Sequence, residues 1–332
     1  MRTITDTDID RVPQDLLTDA IKAHIVADAQ GLVADAQGVL ADANGVLADA
    51  NGVAVSPKPH SATLERAAAT PLSSGSNPYA ALGTHENLSG ANPQSGGQVL
   101  AGMDNASEPM LDPEFSEQLE KVGAECLGCI AADTLASRKA KTLALIGAGA
   151  EARAQLEMIA PTRAIERVRI FARQPIAAAE LAKQFSARTG IRTEVVGSPE
   201  EALHNADMVI LATSSGEPVI EASWVAPGTF ITSLGPKSKS RHELPVNIAR
   251  RAKIIASDSP RQVLADSDHF LAGETAIRRI THLGSLVGKF DPDRDRGITL
   301  FLSSGSPETE VVTLKVAVSY LDSDRPMRAH SS

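Results

Sequence analysis

A short apolar run, Thr142–Ile146, breaks into Gly147-Ala148-Gly149-Ala150-Glu151-Ala152, followed by a segment with helical spacing. Two glycines and a small third residue at these intervals, between a strand and a helix, form a phosphate-binding turn. Gly147 permits the tight reversal, and Gly149 lets backbone approach a diphosphate with no Cβ in the way. Ala152 keeps helix and strand close. Ala148, Ala150 and Glu151 complete the turn, and the helix N-terminus offers unpaired N–H groups and a partial positive charge to phosphate. The chemistry expected is binding of a dinucleotide.

The end of the next strand-like run selects between dinucleotides. NAD sites place an acid there for the ribose hydroxyls. This chain instead runs Phe171-Ala172-Arg173, with no acid and a cation available for a 2′-phosphate. NADP is therefore preferred, with NAD possible. Further on, a buried run ends in Ala212-Thr213-Ser214-Ser215. Small residues at that end of a strand leave room for nicotinamide or ribose. The C-x-x-C pair Cys126 and Cys129 is two ligands short of a zinc site and has no histidine near it in sequence, so it reads as two packing residues on one helix and no metal is expected.

These residues need a scaffold, and the pattern after Lys141 supplies one. Strands are expected at 142–146, 168–171, 192–196, 207–212, 229–233 and 253–256. Helices are expected at 150–160, stopped by Pro161, at 176–185 and from about Ser198. Continuous apolar strands separated by helices imply a parallel sheet covered on both faces. The expectation is α/β: a Rossmann-like doubly wound domain over 141–304, plus a smaller α+β dimerisation and substrate domain. That second domain comprises residues 1–140 and a C-terminal helix within 305–332 that returns to it.

The first 140 residues read differently. A strand from Thr3 and a helix to Ala29, capped by Asp15, lead into four similar heptads: His24–Gln30, Gly31–Gln37, Gly38–Asn44 and Gly45–Asn51. The recurring glycine, costing about 1 kcal/mol of helix each, argues against a coiled coil. The acids do not fit a calcium loop. The heptads read as a tandem expansion at a surface turn. Residues 56–97 hold few large apolar side chains, so the insertion at about 30–97 lacks the means to offset the entropy of ordering. Helical spacing resumes at Glu117–Ala136.

Across 332 residues, 42% apolar content suffices for a core, while a net charge of −9 and 3% aromatics disfavour nucleic acid or anionic lipid as partners. With no signal-like or membrane-length apolar stretch, a soluble cytoplasmic protein is expected.

Several segments together carry a resemblance. They are Thr142–Arg153, the run ending at Thr213, Trp224–Gly228, Gly235-Pro236-Lys237 with His242-Glu243-Leu244, Ile298–Phe301, Ser304-Gly305 and Thr309–Val311. In order and spacing the chain resembles the ornithine cyclodeaminase/mu-crystallin family over about Ala131–Leu321. The resemblance implies a homodimer, an amino- or imino-acid substrate, and hydride passed between a nicotinamide and the carbon bearing nitrogen. It adds Gly235 to the cofactor residues and points to Lys237 and Glu310 as catalytic.

The departures from the family pattern are specific. An Arg-Thr that holds the substrate carboxylate is replaced by Gly123 and Ala124, with Lys121 displaced by two residues. A family Lys falls near Gln98, and the cyclodeaminase acid falls on Lys237. A protonated Lys cannot stabilise an iminium as a carboxylate does, but it can anchor a carboxylate or donate a proton to an amine. Glu310 either positions the amine or simply favours the macrodipole of its helix. The expected activity is an NADP(H)-linked imino-acid (ketimine) reductase or amino-acid dehydrogenase. The alternatives are ornithine cyclodeaminase with retained NAD, and a nucleotide-binding protein without turnover.

Overall fold

A computed structural model of the chain describes residues 9–29, 113–293 and 297–323. The expected strand at Thr3, the heptads beyond Ala29, the insertion and Gln98 lie outside these residues. The chain divides into two compact units. One takes Ala124–Ser306, and the other takes the described residues up to Gly123 and those from Pro307.

The larger unit is built on eight strands: β1 (Thr142–Ile146), β2 (Arg167–Phe171), β3 (Arg192–Val195), β4 (Met208–Leu211), β5 (Phe230–Ser233), β6 (Ile254–Ser257), β7 (Ile280–His282) and β8 (Thr299–Leu302). Their order across the sheet is β3-β2-β1-β4-β5-β8-β6-β7, and every pairing is parallel. Burial follows position. β4, β5 and β8 are buried at every residue, whereas the edge strands β3 and β7 are part-exposed. This is the Rossmann-like α/β architecture that the continuous apolar runs predict.

Six strands were expected and eight are found. β7 is only three residues long and mixes Thr281 and His282 with Ile280, so it gives no apolar run. β8 is entirely apolar after Thr299 but pairs β5 and β6, both far earlier in the chain. Periodicity carries no information about such an insertion.

Local chemistry sets the element ends. Helix α1 is Gln14–Ala29, α2 Pro113–Leu135, α3 Ala150–Ile159, α4 Pro175–Thr189, α5 Pro199–Leu203, α6 Val246–Arg251, α7 Pro260–Ala265, α8 Leu283–Leu286 and α9 Pro307–Ser323. The helix expected at 176–185 runs on to Thr189, where Gly190 closes it in the left-handed conformation, φ 72°. At α5 the Ser198 hydroxyl accepts the Glu201 N–H at 3.1 Å, the cap expected there. Asp15 lies one residue inside α1, so it is a first-turn acid rather than the cap.

Two arginines close helix ends from a distance. Arg163 donates to the carbonyls of Ala132, Asp133, Ala136 and Ser137 at the end of α2. Arg279 does the same for Ala249, Arg250 and Ala252 at the end of α6. Each fork donates to carbonyls at a helix end, where its charge suits the negative end of the helix. At the opposite edge of the sheet from the phosphate turn, Asp207 accepts the N–H groups of Lys141 and Thr142, tying the starts of β1 and β4.

In the smaller unit α1 packs on α9. Leu17, Ile21 and Ile25 of α1, and Val311, Val312, Leu314, Val316 and Ala317 of α9, are buried. Cys126 is buried, Cys129 part-buried, and neither forms a disulfide.

Candidate functional site

The C-terminal ends of the parallel strands form a rim, and the phosphate turn lies at its centre. Gly147 has φ +125°, and a Cβ there would stand 2.1 Å from the Ala212 carbonyl oxygen, so only glycine fits. Ala152 is fully buried beneath the turn, 3.6 Å from that same notional Cβ. Gly149 is the N-cap of α3 and provides no side-chain cap. A Cβ at Gly149 would meet no atom of the protein within 4 Å. The first N–H groups of α3, from Ala150 and Glu151 onward, therefore begin beside open space. Ala148 is part-buried and Ala150 exposed. A cradle of this form fits a dinucleotide diphosphate on steric and electrostatic grounds. Ala172 and Arg173 directly follow β2, next to β1, and Arg173 is exposed.

One buried acid organises the neighbouring part of the rim. Glu243 is completely buried and accepts four hydrogen bonds. Oε2 takes the Thr213 N–H at 2.9 Å and the Thr213 hydroxyl at 2.7 Å. Oε1 takes the Ser233 hydroxyl at 2.8 Å and the Gly235 N–H at 2.6 Å. It thus staples the loops that leave β4 and β5. Gly235 is required here, since a Cβ would lie 2.4 Å from the Thr213 carbonyl oxygen and 2.5 Å from Glu243 Cδ. Ala212 and Thr213 are thereby fixed, while Ser214 is exposed and its carbonyl accepts Arg241 Nη2 at 3.2 Å. Asp258 plays the same part further along. It accepts Ser304 N–H and hydroxyl at 2.7 and 2.9 Å and Ser306 N–H at 3.1 Å, joining the ends of β6 and β8.

Lys237 sits on the loop between these staples and donates to the Gly235 carbonyl at 3.0 Å. Burial pushes its ammonium below the ordinary lysine range, opposed by the carboxylates of Glu243, Asp258 and Glu151. The structure therefore brings together Gly147 with Ala212, Thr213 with Gly235, and Gly235 with Lys237.

Glu310 belongs to the smaller unit, in the first turn of α9. It is 5% exposed, with Oε1 unpaired. Burial, then Glu120 and Glu308, push its carboxyl up to about 7. Thr309 Oγ1 beside it is also buried and unpaired.

Sequence reasoning assigned no role to Glu243, Asp258 or His269. Asp258 had a faint signal, an acid directly after an apolar, small-residue run; Glu243, behind a polar and basic stretch, had none. Among the described residues no group of three or more His, Cys, Asp or Glu is placed to hold a metal ion, and no helix is long and apolar enough to cross a membrane.

The parallel sheet and the glycine cradle at its carboxyl rim define a Rossmann-like dinucleotide-binding fold. The chain belongs to the ornithine cyclodeaminase/mu-crystallin family, whose model matches residues 122–323. It is 28% identical to the alanine dehydrogenase of Archaeoglobus fulgidus, over 62% of this chain and 64% of that one. Among solved structures it resembles the Δ1-pyrroline-2-carboxylate reductase of Thermococcus litoralis in complex with NADH and L-proline, at 29% identity and a TM-score of 0.56, covering 62% and 66% of the two chains. It also resembles an archaeal alanine dehydrogenase dimer with bound NAD, at 26% identity and a TM-score of 0.54, covering 62% and 65%. In each case this chain spans less than two thirds of the relative's length.

Proposed function

We propose that the chain is a nicotinamide-dependent oxidoreductase acting on the carbon–nitrogen bond of a small imino or amino acid, as a ketimine reductase or amino-acid dehydrogenase, with NADP preferred to NAD. The cradle carries the reading: Gly147 is sterically imposed, while a Cβ at Gly149 would have no neighbour within 4 Å among the described residues. The solved relatives that hold NADH or NAD support it.

Each candidate residue has a part. Backbone N–H groups of Gly149, Ala150 and Glu151 take the diphosphate, with Ala148 shaping the turn. Arg173, beside Ala172, takes a 2′-phosphate. Ala212, Thr213, Ser214 and Gly235 form the floor for ribose and nicotinamide, held flat by Glu243. A bound nicotinamide supplies the hydride equivalent or accepts it. Lys237 manages negative charge or a proton at the substrate. Glu310, its carboxyl raised by burial to about 7 and so about half protonated near neutrality, is the second proton carrier and positions the amine. A homodimer is the proposed assembly, in keeping with the archaeal neighbour.

The test is a titration with NADPH and NADH followed by a panel of cyclic and open-chain imines, read as loss of reduced coenzyme. Consumption of NADPH with one of them is expected. Uptake of neither coenzyme refutes any redox role. Formation of proline and ammonia from ornithine without net coenzyme consumption makes the protein a cyclodeaminase instead. Binding of NADPH without turnover of any imine would favour a nucleotide-binding role.

A further inference from the structure

The loop after β5 is more structured than its composition, Lys237-Ser238-Lys239-Ser240-Arg241-His242, suggests. Lys237 and His242 bridge as a small antiparallel hairpin, closed by the Arg241 N–H on the Ser238 carbonyl and hydroxyl at 3.3 and 3.1 Å. A third segment pairs alongside. Ser238 bridges His269, Lys239 N–H donates to the Asp268 carbonyl at 2.6 Å, and Phe270 N–H donates to the Lys237 carbonyl at 2.7 Å. The Phe270 ring lies against both His242 and His269, with centroids 5.3 and 4.9 Å away. Lys237 and His269 are thus held on two adjacent, mutually pinned strands of backbone.

His269 is 4% exposed. Its Nδ1 accepts the Leu271 N–H at 3.2 Å, so Nδ1 carries the lone pair and the proton of the neutral ring sits on Nε2. That Nε2–H is buried with no hydrogen-bond partner. A buried donor left unpaired is costly and uncommon in a folded protein. Burial, opposed by the Asp266 carboxylate and aided by the Lys237 ammonium, holds the imidazole down to about 4, neutral at physiological pH. A cation would find no lone pair here. The nearby acids Glu243 and Asp258 are already engaged by four and three donors within 3.1 Å. What the ring lacks is an acceptor, and a negatively charged one would also interact with the Lys237 ammonium.

We infer that Lys237 Nζ and His269 Nε2–H form the seat for the substrate's carboxylate, one supplying charge and the other a directed hydrogen bond. The inference rests on the redox reading above and assigns its anion-binding group to the dinucleotide-binding unit itself. His269 is then a specificity-determining residue, and acids are taken in preference to their neutral amides.

The test uses pyrrole-2-carboxylate, a planar analogue of a cyclic imino acid, and pyrrole-2-carboxamide. Both are titrated into full-length protein at saturating NADPH, with coenzyme affinity measured separately. Wild type binds the acid at least about 10-fold tighter than the amide. His269→Asn keeps an acceptor for Leu271 N–H but has no donor at the Nε2 position, and loses roughly 10- to 100-fold in affinity for the acid. His269→Gln, which places an N–H near the Nε2 position, recovers most of the loss. Lys237→Met brings the acid-to-amide ratio close to one. Coenzyme affinity stays at the wild-type value in all three. Equal binding of acid and amide by wild type, or an unchanged acid affinity in His269→Asn, overturns the seat while leaving the coenzyme reading intact. An acid preference that persists in a protein taking up neither coenzyme keeps the seat and overturns the redox reading.

Discussion

Glu243→Gln tests whether the rim is held by a single buried carboxylate. Each oxygen of Glu243 accepts one backbone N–H and one hydroxyl: Thr213 N–H and Oγ1 on one side, Gly235 N–H and Ser233 Oγ on the other. In glutamine one oxygen becomes an NH2. The hydroxyl on that side can turn and accept from it, but the backbone N–H cannot. One buried N–H is therefore left unpaired, at about 1–3 kcal/mol, and the remaining bonds lose their charge assistance. The total is roughly 3 kcal/mol. For a unit spanning Ala124–Ser306 this lowers Tm by roughly 6–12 °C. Circular dichroism melts of wild type and variant at equal concentration give the comparison. NADPH affinity should fall too, because Thr213 and Gly235 are no longer fixed. A shift below about 2 °C with unchanged affinity would refute the reasoning, since it would mean the four bonds hold nothing in place.

The two glycines of the turn should separate by assay. Gly147→Ala drives a Cβ into the Ala212 carbonyl at φ +125° and should destabilise by at least about 3 kcal/mol in denaturant melts. Gly149→Ala adds a Cβ with no neighbour within 4 Å among the described residues and should melt within about 2 °C of wild type while losing at least about 10-fold in NADPH affinity. Arg173→Ala should weaken NADPH by about 10-fold and leave NADH within about twofold, because only NADPH has the 2′-phosphate; equal losses would remove Arg173 from recognition. The raised Glu310 carboxyl implies that the folded state holds a proton the unfolded chain has released. Stability should therefore decline as pH rises from about 4.5 through about 7 and then level off, and Glu310→Gln should flatten that decline in urea titrations.

The legible parts of this molecule are those encoded locally. The turn at Gly147, the continuous burial of β1 and β4 and the Ser198 cap each depend on a few adjacent residues, and each stands where the spacing places it. The rim staples depend on pairs that sequence does not connect. Glu243 reaches Thr213 from 30 residues away, and Asp258 reaches Ser304 from 46. A lone acid within His242-Glu243-Leu244 carries no sign of four waiting donors. The unpaired proton of His269 is less legible still, since it follows from the Leu271 backbone N–H occupying Nδ1. Lys237 was visible as a cation where the resemblance led one to expect an acid. Its part-buried setting and the staples on either side had to come from the fold.

The position of β8 has a consequence for biosynthesis. It follows the other seven strands of this sheet in the chain, yet it lies in the sheet's interior, between β5 and β6. A nascent chain emerging from the ribosome can align β3, β2, β1, β4 and β5 in a contiguous ribbon and pair β6 with β7, but nothing joins these two parts until Thr299–Leu302 has cleared the exit tunnel. Until then two interior edges remain unpaired, each a template for a foreign strand. A nascent chain arrested before Thr299–Leu302 has emerged should therefore be sticky and chaperone-dependent, and one arrested after these residues have left the tunnel should complete the sheet.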